Sequence, residues 1–204
     1  MATPDICPLV DPYWAFYWPG GQSLTRFLLD NGQIVRGSAV LDFGSGCGSA
    51  SMACVSRAAK RILMNDIDQN ALLAAKLNMR LNGLNATTIR YTDDNLLESK
   101  EIHTMIYNLY QDVPASSRLL LLGDIFYDSN FADTVFRWLK RVKDEFGVRI
   151  LVGDPDRHPL TEEKVLQGYE TEFRKNLLVS YALPGYVTRE HYGFTTAHVY
   201  EIEF

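Results

Sequence analysis

Short apolar runs alternate along the chain with longer stretches in which apolar residues recur every third or fourth position, the pattern of strands and helices taken in turn. Residues 38–43, 61–65, 87–91, 119–123 and 149–153 read as five strands, and 177–183 and 195–204 as two more, joined through Pro184-Gly185. Helices are expected over 48–58, 69–82, 130–145 and 161–175, with a further helical stretch over 22–29 ahead of the first strand. The fourth strand is nearly all leucine, as expected where both faces are covered. Phe131, Val135, Trp138, Leu139 and Val142 fall at helical spacing and predict a core stripe, with Arg137, Lys140, Arg141 and Lys143 on a solvated opposite face. Asn82-Gly83 predicts a left-handed helix end. Five parallel strands followed by two antiparallel ones give a doubly wound, seven-stranded α/β sheet.

With 204 residues, 47% of them hydrophobic, the chain suffices for one core and is expected to form a single domain over 1–204, an aromatic lid and helix (1–37) on a seven-stranded body (38–204). The net charge of −5 comes with scattered basic residues, which disfavours nucleic acid and suits a cationic partner such as a lysine-bearing protein. The longest purely aliphatic run, 119–122, is too short for a bilayer, so no membrane association is expected. Cys7, Cys47 and Cys54 form no C-x-x-C pair, and their odd count points to a reducing compartment. His103, His158, His191 and His198 show no ligand spacing, and no metal is expected. Residues 1–10 carry neither a basic amphipathic pattern nor an apolar signal core, leaving cytoplasm, or the mitochondrial matrix through an unusual targeting segment, as the expected location.

The candidate chemistry begins at Val40-Leu41-Asp42-Phe43-Gly44-Ser45-Gly46-Cys47-Gly48, an apolar strand ending in an acid and then three glycines spaced two apart. A dinucleotide loop reads G-x-G-x-x-G and meets a pyrophosphate. Here the third glycine comes one residue early, and Asp42 would repel a phosphate but can hold an ammonium. S-adenosylmethionine, a nucleoside with an amino-acid tail, suits Asp42, Gly44, Gly46 and Gly48. Tight strand-to-helix turns need glycine even where nothing binds, so the ends of the following strands decide the matter. Asp66 stands 24 positions after Asp42, placed to accept both ribose hydroxyls, while Asp68 is expected to cap the next helix. After the third strand, Asp93 or Asp94 is expected to accept from the adenine amino group. The fourth strand runs into Gly123-Asp124-Ile125-Phe126-Tyr127-Asp128. Upstream, Pro19-Gly20-Gly21 forces a turn that would hold Trp18 as a flat wall against an adenine or a sulfonium.

Together Asp42–Gly48, Trp18-Pro19-Gly20-Gly21, Asn65-Asp66-Ile67-Asp68 and Asp124-Ile125-Phe126-Tyr127 resemble the seven-β-strand protein lysine methyltransferases. Tyr17–Gln22, Gly123–Asp128 and Gly153-Asp154-Pro155 are most similar to the electron-transfer flavoprotein β-subunit lysine methyltransferases, over about Pro12 to Pro155. The resemblance implies a Rossmann-like class I methyltransferase fold, S-adenosylmethionine as donor, and a lysine of the flavoprotein β subunit as acceptor. In that frame Asp124 is the candidate to orient the ε-amino group and Tyr127 to line its channel. Residues 98–117 look longer than the family needs, and the usual Trp-Asp before strand four is absent. A small-molecule methyltransferase and a non-catalytic module on the same fold remain the alternatives, while glycine spacing and Asp42 argue against a nicotinamide oxidoreductase.

Overall fold

The computed structural model describes residue 9 and residues 12–84, 87–98 and 102–204, so that Cys7 and the reading of residues 1–8 and 10 lie outside it. Helix α1 (Pro19–Asp30) and a single turn, α2 (Gly32–Val35), precede β1 (Ala39–Phe43), α3 (Ser49–Ser56), β2 (Arg61–Asn65), α4 (Gln69–Leu81) and β3 (Ile89–Thr92). Then follow α5 (Ile102–Tyr110), β4 (Arg118–Gly123), α6 (Ser129–Phe146), β5 (Arg149–Asp154), the short α7 (His158–Thr161) and α8 (Glu163–Leu166), β6 (Arg174–Ala182), α9 (Gly185–Glu190) and β7 (Thr196–Glu203). The seven strands form one sheet in the order β3-β2-β1-β4-β5-β7-β6. The first five are mutually parallel, and β7 is antiparallel to both β5 and β6. The predicted α/β sheet with antiparallel last strands is what forms.

Successive strand residues point to opposite faces, and each face has its own cover. Leu41, Leu120, Leu122, Ile150 and Val152 pack with α5 and α6 residues such as Leu109, Val135, Trp138 and Leu139. Val40, Leu119, Leu121 and Leu151 pack on the other side with Leu24 and Leu28 of α1, Cys54 of α3 and Ala75 of α4. All four leucines from Leu119 to Leu122 have no exposed surface. Burying each is worth about 1.5–3 kcal/mol, which makes β4 the axis of the core. The amphipathic stripe of α6 lies inward as its spacing predicts, with Arg137, Lys140 and Arg141 exposed. Asp68 caps α4 by accepting from Asn70 N–H at 2.8 Å, and Gly83 takes φ +63 just past that helix.

One expectation is corrected, and two helices stand in segments to which the sequence reading gave no element. The helix expected over 161–175 is absent. The chain makes two single turns, then an irregular stretch into β6, because Tyr169 and Phe173 both dock on Phe136 of α6 and the Glu170 N–H bonds Asp133 at 3.0 Å instead of a helical carbonyl. Helix α5 occupies the segment that looked overlong. Its Ile106, Leu109 and Tyr110 are buried, and the Tyr110 hydroxyl donates to the Leu119 carbonyl at 2.7 Å. Finally, α9 stands in the β6–β7 connection, starting at the Pro184-Gly185 junction.

Candidate active site

The strand order reverses direction at β1, whose neighbours β2 and β4 lead to opposite sides, and open sheets bind ligands beyond the carboxyl ends at that point. A cavity of about 1010 Å³ lies there, lined by the glycine loop, the ends of β2 and β4, and the aromatic segment before α1. The loop glycines 44, 46 and 48 all have positive φ. Gly48 is the most constrained: at φ +86 it turns the chain into α3, and a Cβ there would stand 2.9 Å from that of Ala75.

Two carboxylates from adjacent parallel strands face this loop. Asp42 is buried, and its Oδ2 accepts from the Ser51 N–H at 3.1 Å and the Ser51 hydroxyl at 2.6 Å. Burial pushes its carboxyl up to about 6, against the lowering effect of the Ser51 bonds. Asp66 accepts from Gly46 N–H at 2.8 Å and from Asp68 N–H at 3.0 Å, so it clamps the glycine loop to the end of β2. Its carboxyl is also raised, by burial.

The cover of the cavity is tied to the sheet at one junction where motifs far apart in sequence meet. Gly20 N–H donates to Asp124 Oδ2 at 2.5 Å, and Asp124 N–H donates to the Gly153 carbonyl at 2.8 Å. Gly20 and Gly153 lie backbone against backbone, so that a Cβ on either would collide with the other's carbonyl. Glycine is therefore required twice, by close approach. Asp124 takes φ +61, a conformation uncommon outside glycine and found at strained functional positions. Its second oxygen pairs with Arg157 Nε, and its side chain is wholly buried. Burial pushes the Asp124 carboxyl up, opposed by the Arg157 guanidinium, the Gly20 N–H and His191. Asp154, also fully buried, accepts from Arg157 N–H at 2.7 Å, and desolvation together with the Asp124 charge pushes it up to about 8. The Arg157 guanidinium stands 5.7 Å from the Trp18 ring and 5.4 Å from Phe194.

The geometry brings together Trp18, Asp42, Gly44, Gly46, Asp66, Asp124 and Tyr127, all of which line the cavity. Tyr127 is exposed at its mouth and stacks on Phe131 at 5.6 Å. Gly48, Asp93 and Asp94 are not among the lining residues. Asp93 accepts from Gln69 Nε2 at 2.6 Å and Asp94 from the Thr92 hydroxyl, while Asn95 and Leu96, one step further along, line the wall. Sequence reading also missed Arg157, Trp14 and Tyr192 as lining residues. Arg157 carried a usable signal, being a lone cation three positions after the acid that ends β5. Ser45 lines the cavity as well, and Trp14 Nε1 and Ser45 Oγ are buried without a hydrogen-bond partner.

The model of the ribosomal protein L11 methyltransferase (PrmA) family matches residues 23–114, which run from α1 through α5. An electron transfer flavoprotein beta subunit lysine methyltransferase homolog from Caenorhabditis elegans is 54% identical over 100% of this chain and 83% of its own. The Mus musculus electron transfer flavoprotein beta subunit lysine methyltransferase is 40% identical over 97% of this chain and 69% of its own. The chain belongs to the electron transfer flavoprotein beta subunit lysine methyltransferase family. Among solved structures, the N-methyltransferase NodS from Bradyrhizobium japonicum, in complex with S-adenosyl-L-homocysteine, has the same fold at a TM-score of 0.60 and 12% identity, covering 96% of this chain and 92% of the other. In this family member, then, the junction of Trp18-Pro19-Gly20, Asp124 and Gly153 is what joins the cavity cover to the two central strands. The cavity's donor set also fits an adenosyl amino acid: Asp42 and Asp66 offer acceptors for an ammonium and for hydroxyls, and aromatic rings offer flat walls.

Proposed function

We propose that this chain transfers a methyl group from S-adenosylmethionine to a lysine ε-amino group, and that its substrate is the β subunit of electron-transfer flavoprotein, as in the relatives' names. The observation that carries the reading is the pairing of Asp42 and Asp66 on one cavity closed by an aromatic cover. When bound, the cofactor supplies an electrophilic methyl carbon for in-line transfer to a neutral amine. Asp42 holds the ammonium of the amino-acid tail, and Asp66 accepts from the ribose hydroxyls. Glycines 44 and 46 admit the tail close to the backbone, Gly48 turns the chain into α3, Asn95 and Leu96 take the adenine edge in place of Asp93 and Asp94, and Trp18 forms a wall beside the sulfonium.

Asp124 is the acid of the amine site. Gly20 N–H and Arg157 fix both its oxygens, and each retains a second lone pair for the ε-amino group. The free lysine has a pKa near ~10.4, and desolvation beside a cation lowers it towards the neutral form that attacks. Tyr127, at the mouth, lines the approach of the lysine stem. In this reading residues 1–204 act as one methyltransferase unit, in whichever compartment holds the flavoprotein, mitochondrial matrix or cytoplasm. None of the helices of the described residues is long and apolar enough to cross a membrane.

The test is incubation of the purified protein with tritiated S-adenosylmethionine and recombinant electron-transfer flavoprotein, beside a β-subunit lysine-to-arginine control. Label on the β subunit that disappears in the control is the expected result. Donor binding without label transfers the reading to another acceptor, a small molecule included. Absence of both binding and label overturns it.

A further inference from the structure

Arg157 is a cation in a cavity walled by acids and aromatic rings. Among the described residues lining that cavity it is the only lysine, arginine or histidine, against the acids Asp42, Asp66, Asp68, Glu98 and Asp124. A guanidinium keeps its charge at every physiological pH, and it repels both a sulfonium and a lysine ammonium that share its cavity. Its side chain is nevertheless only 14% exposed and is held from several sides. Its Nε bonds Asp124 Oδ1, its backbone N–H donates to Asp154 Oδ1 at 2.7 Å, and its guanidinium faces the Trp18 and Phe194 rings.

We propose that Arg157 is a positioning residue for methyl transfer: it holds Asp124 in place and offsets its charge, so that this acid takes a hydrogen bond from the ε-amino group without favouring the ammonium. The inference rests on reading Asp124 as the acid of the amine site. A lone carboxylate beside a lysine stabilises the protonated form, which has no lone pair to attack with. Paired with a guanidinium, the same oxygen still accepts, and the pair as a whole is neutral. The amine is thereby aimed, while desolvation and the sulfonium remain free to hold it neutral.

The groups around Asp124 support the assignment. From α1 the Gly20 N–H bonds Oδ2, and from the end of β5 come Asp154 and the Gly153 carbonyl. His191 approaches from the C-terminal end of α9, its ring 5.1 Å from that of Trp18. Burial raises the Asp124 carboxyl, Arg157 opposes this most, and His191 adds a smaller opposing effect. Asp154, if ionised, would compete for the same guanidinium. It is fully buried, its Oδ2 has no partner among the described residues, and desolvation with the Asp124 charge pushes its carboxyl up to about 8. At neutral pH Asp154 keeps its proton, and the Arg157 charge serves Asp124.

The experiment measures methyl transfer to recombinant electron-transfer flavoprotein by the parent, Arg157→Gln, Asp124→Asn and the double variant, from about pH 7 to about pH 9.5. Calorimetric Kd values for S-adenosylmethionine and thermal melts accompany it. Arg157→Gln is expected to lower kcat about tenfold or more at neutral pH, with the cofactor Kd within about twofold. The loss should shrink as pH rises, because an unpaired Asp124 raises the lysine's pKa and its own, and alkali reverses both. In Asp124→Asn, where no charge remains to offset, the second substitution should slow transfer by no more than about twofold. A loss that ignores pH, equal losses in both backgrounds, a parental kcat, or a cofactor Kd weakened as much as kcat each overturn the inference, and a methylating parent then leaves the proposed function standing. A parent that transfers no methyl group removes that function and the inference with it. If Arg157→Gln does not fold, Arg157→Met, which keeps an unbranched stem, takes its place; failure of both makes Arg157 structural and overturns the role.

Discussion

Asp42→Asn should make the protein more stable and a poorer binder at once. The asparagine carbonyl keeps an acceptor for the Ser51 N–H and hydroxyl, so the change removes a buried charge and little else. Burial raises the Asp42 carboxyl from 3.8 to about 6. At about 1.4 kcal/mol per unit, holding that carboxylate ionised in the fold costs about 3 kcal/mol at pH 7.5. The amide's own burial takes back about 1 kcal/mol, which leaves a gain of about 2 kcal/mol and a rise in Tm of about 6 °C. The folded-state value lies above the unfolded one, so the stability linked to this proton is fully present below the unfolded value of 3.8 and is lost as pH rises through about 6. Parent and variant therefore converge in acid, the gap closing by about 2 kcal/mol between pH 7.5 and 4.5. Urea denaturation of the ligand-free proteins at both pH values measures it. A variant no more stable than the parent at pH 7.5, or a gap that ignores pH, refutes the reasoning.

Because Asp124 links the Gly20 turn to Arg157, Asp124→Asn should cut methyl transfer by about 10²-fold or more while cofactor affinity stays within about twofold; mass spectrometry of the product decides it, and near-parental turnover removes the role. Asp66→Ala deletes the clamp on Gly46 and should weaken S-adenosylhomocysteine by about 1–3 kcal/mol in calorimetry, an unchanged Kd counting against the ribose assignment. Gly153→Ala forces a methyl group into the Gly20 carbonyl and should destabilise by about 1–3 kcal/mol, read as a fall in Tm; a parental Tm would mean the two backbones separate without cost.

The strand cores were legible because their residues are buried on both faces and need no partner to be recognised. Leu119–Leu122 and the α6 stripe are of this kind, as are Asp68 and Gly83, whose roles depend on backbone within a few residues. Elements whose shape depends on distant contacts were not. The 167–173 stretch has helical composition, yet Phe136 and Asp133 on α6 decide its path. Asp94 was drawn into a local bond because β3 runs one residue further than expected, to Thr92, whose hydroxyl engages it, while Asp93 accepts from Gln69 of α4. Asp42, Asp66 and Asp124 could be named as cavity residues because the ends of parallel strands converge. That Gly153 meets Gly20 across more than a hundred positions left no mark in either segment alone.

The three tryptophans sort the molecule into two optical compartments. Trp138 is 3% exposed and sits 4.8 Å from Phe43 in the core, while Trp14 and Trp18 border the cavity. Ligand entry and global unfolding thus fall on different fluorophores. A Trp138→Phe protein would leave an emission signal belonging to the cavity cover alone, and Trp14→Phe with Trp18→Phe would leave one belonging to the core. The enzyme carries its own pair of probes, and stopped-flow emission can time ligand entry without any attached dye.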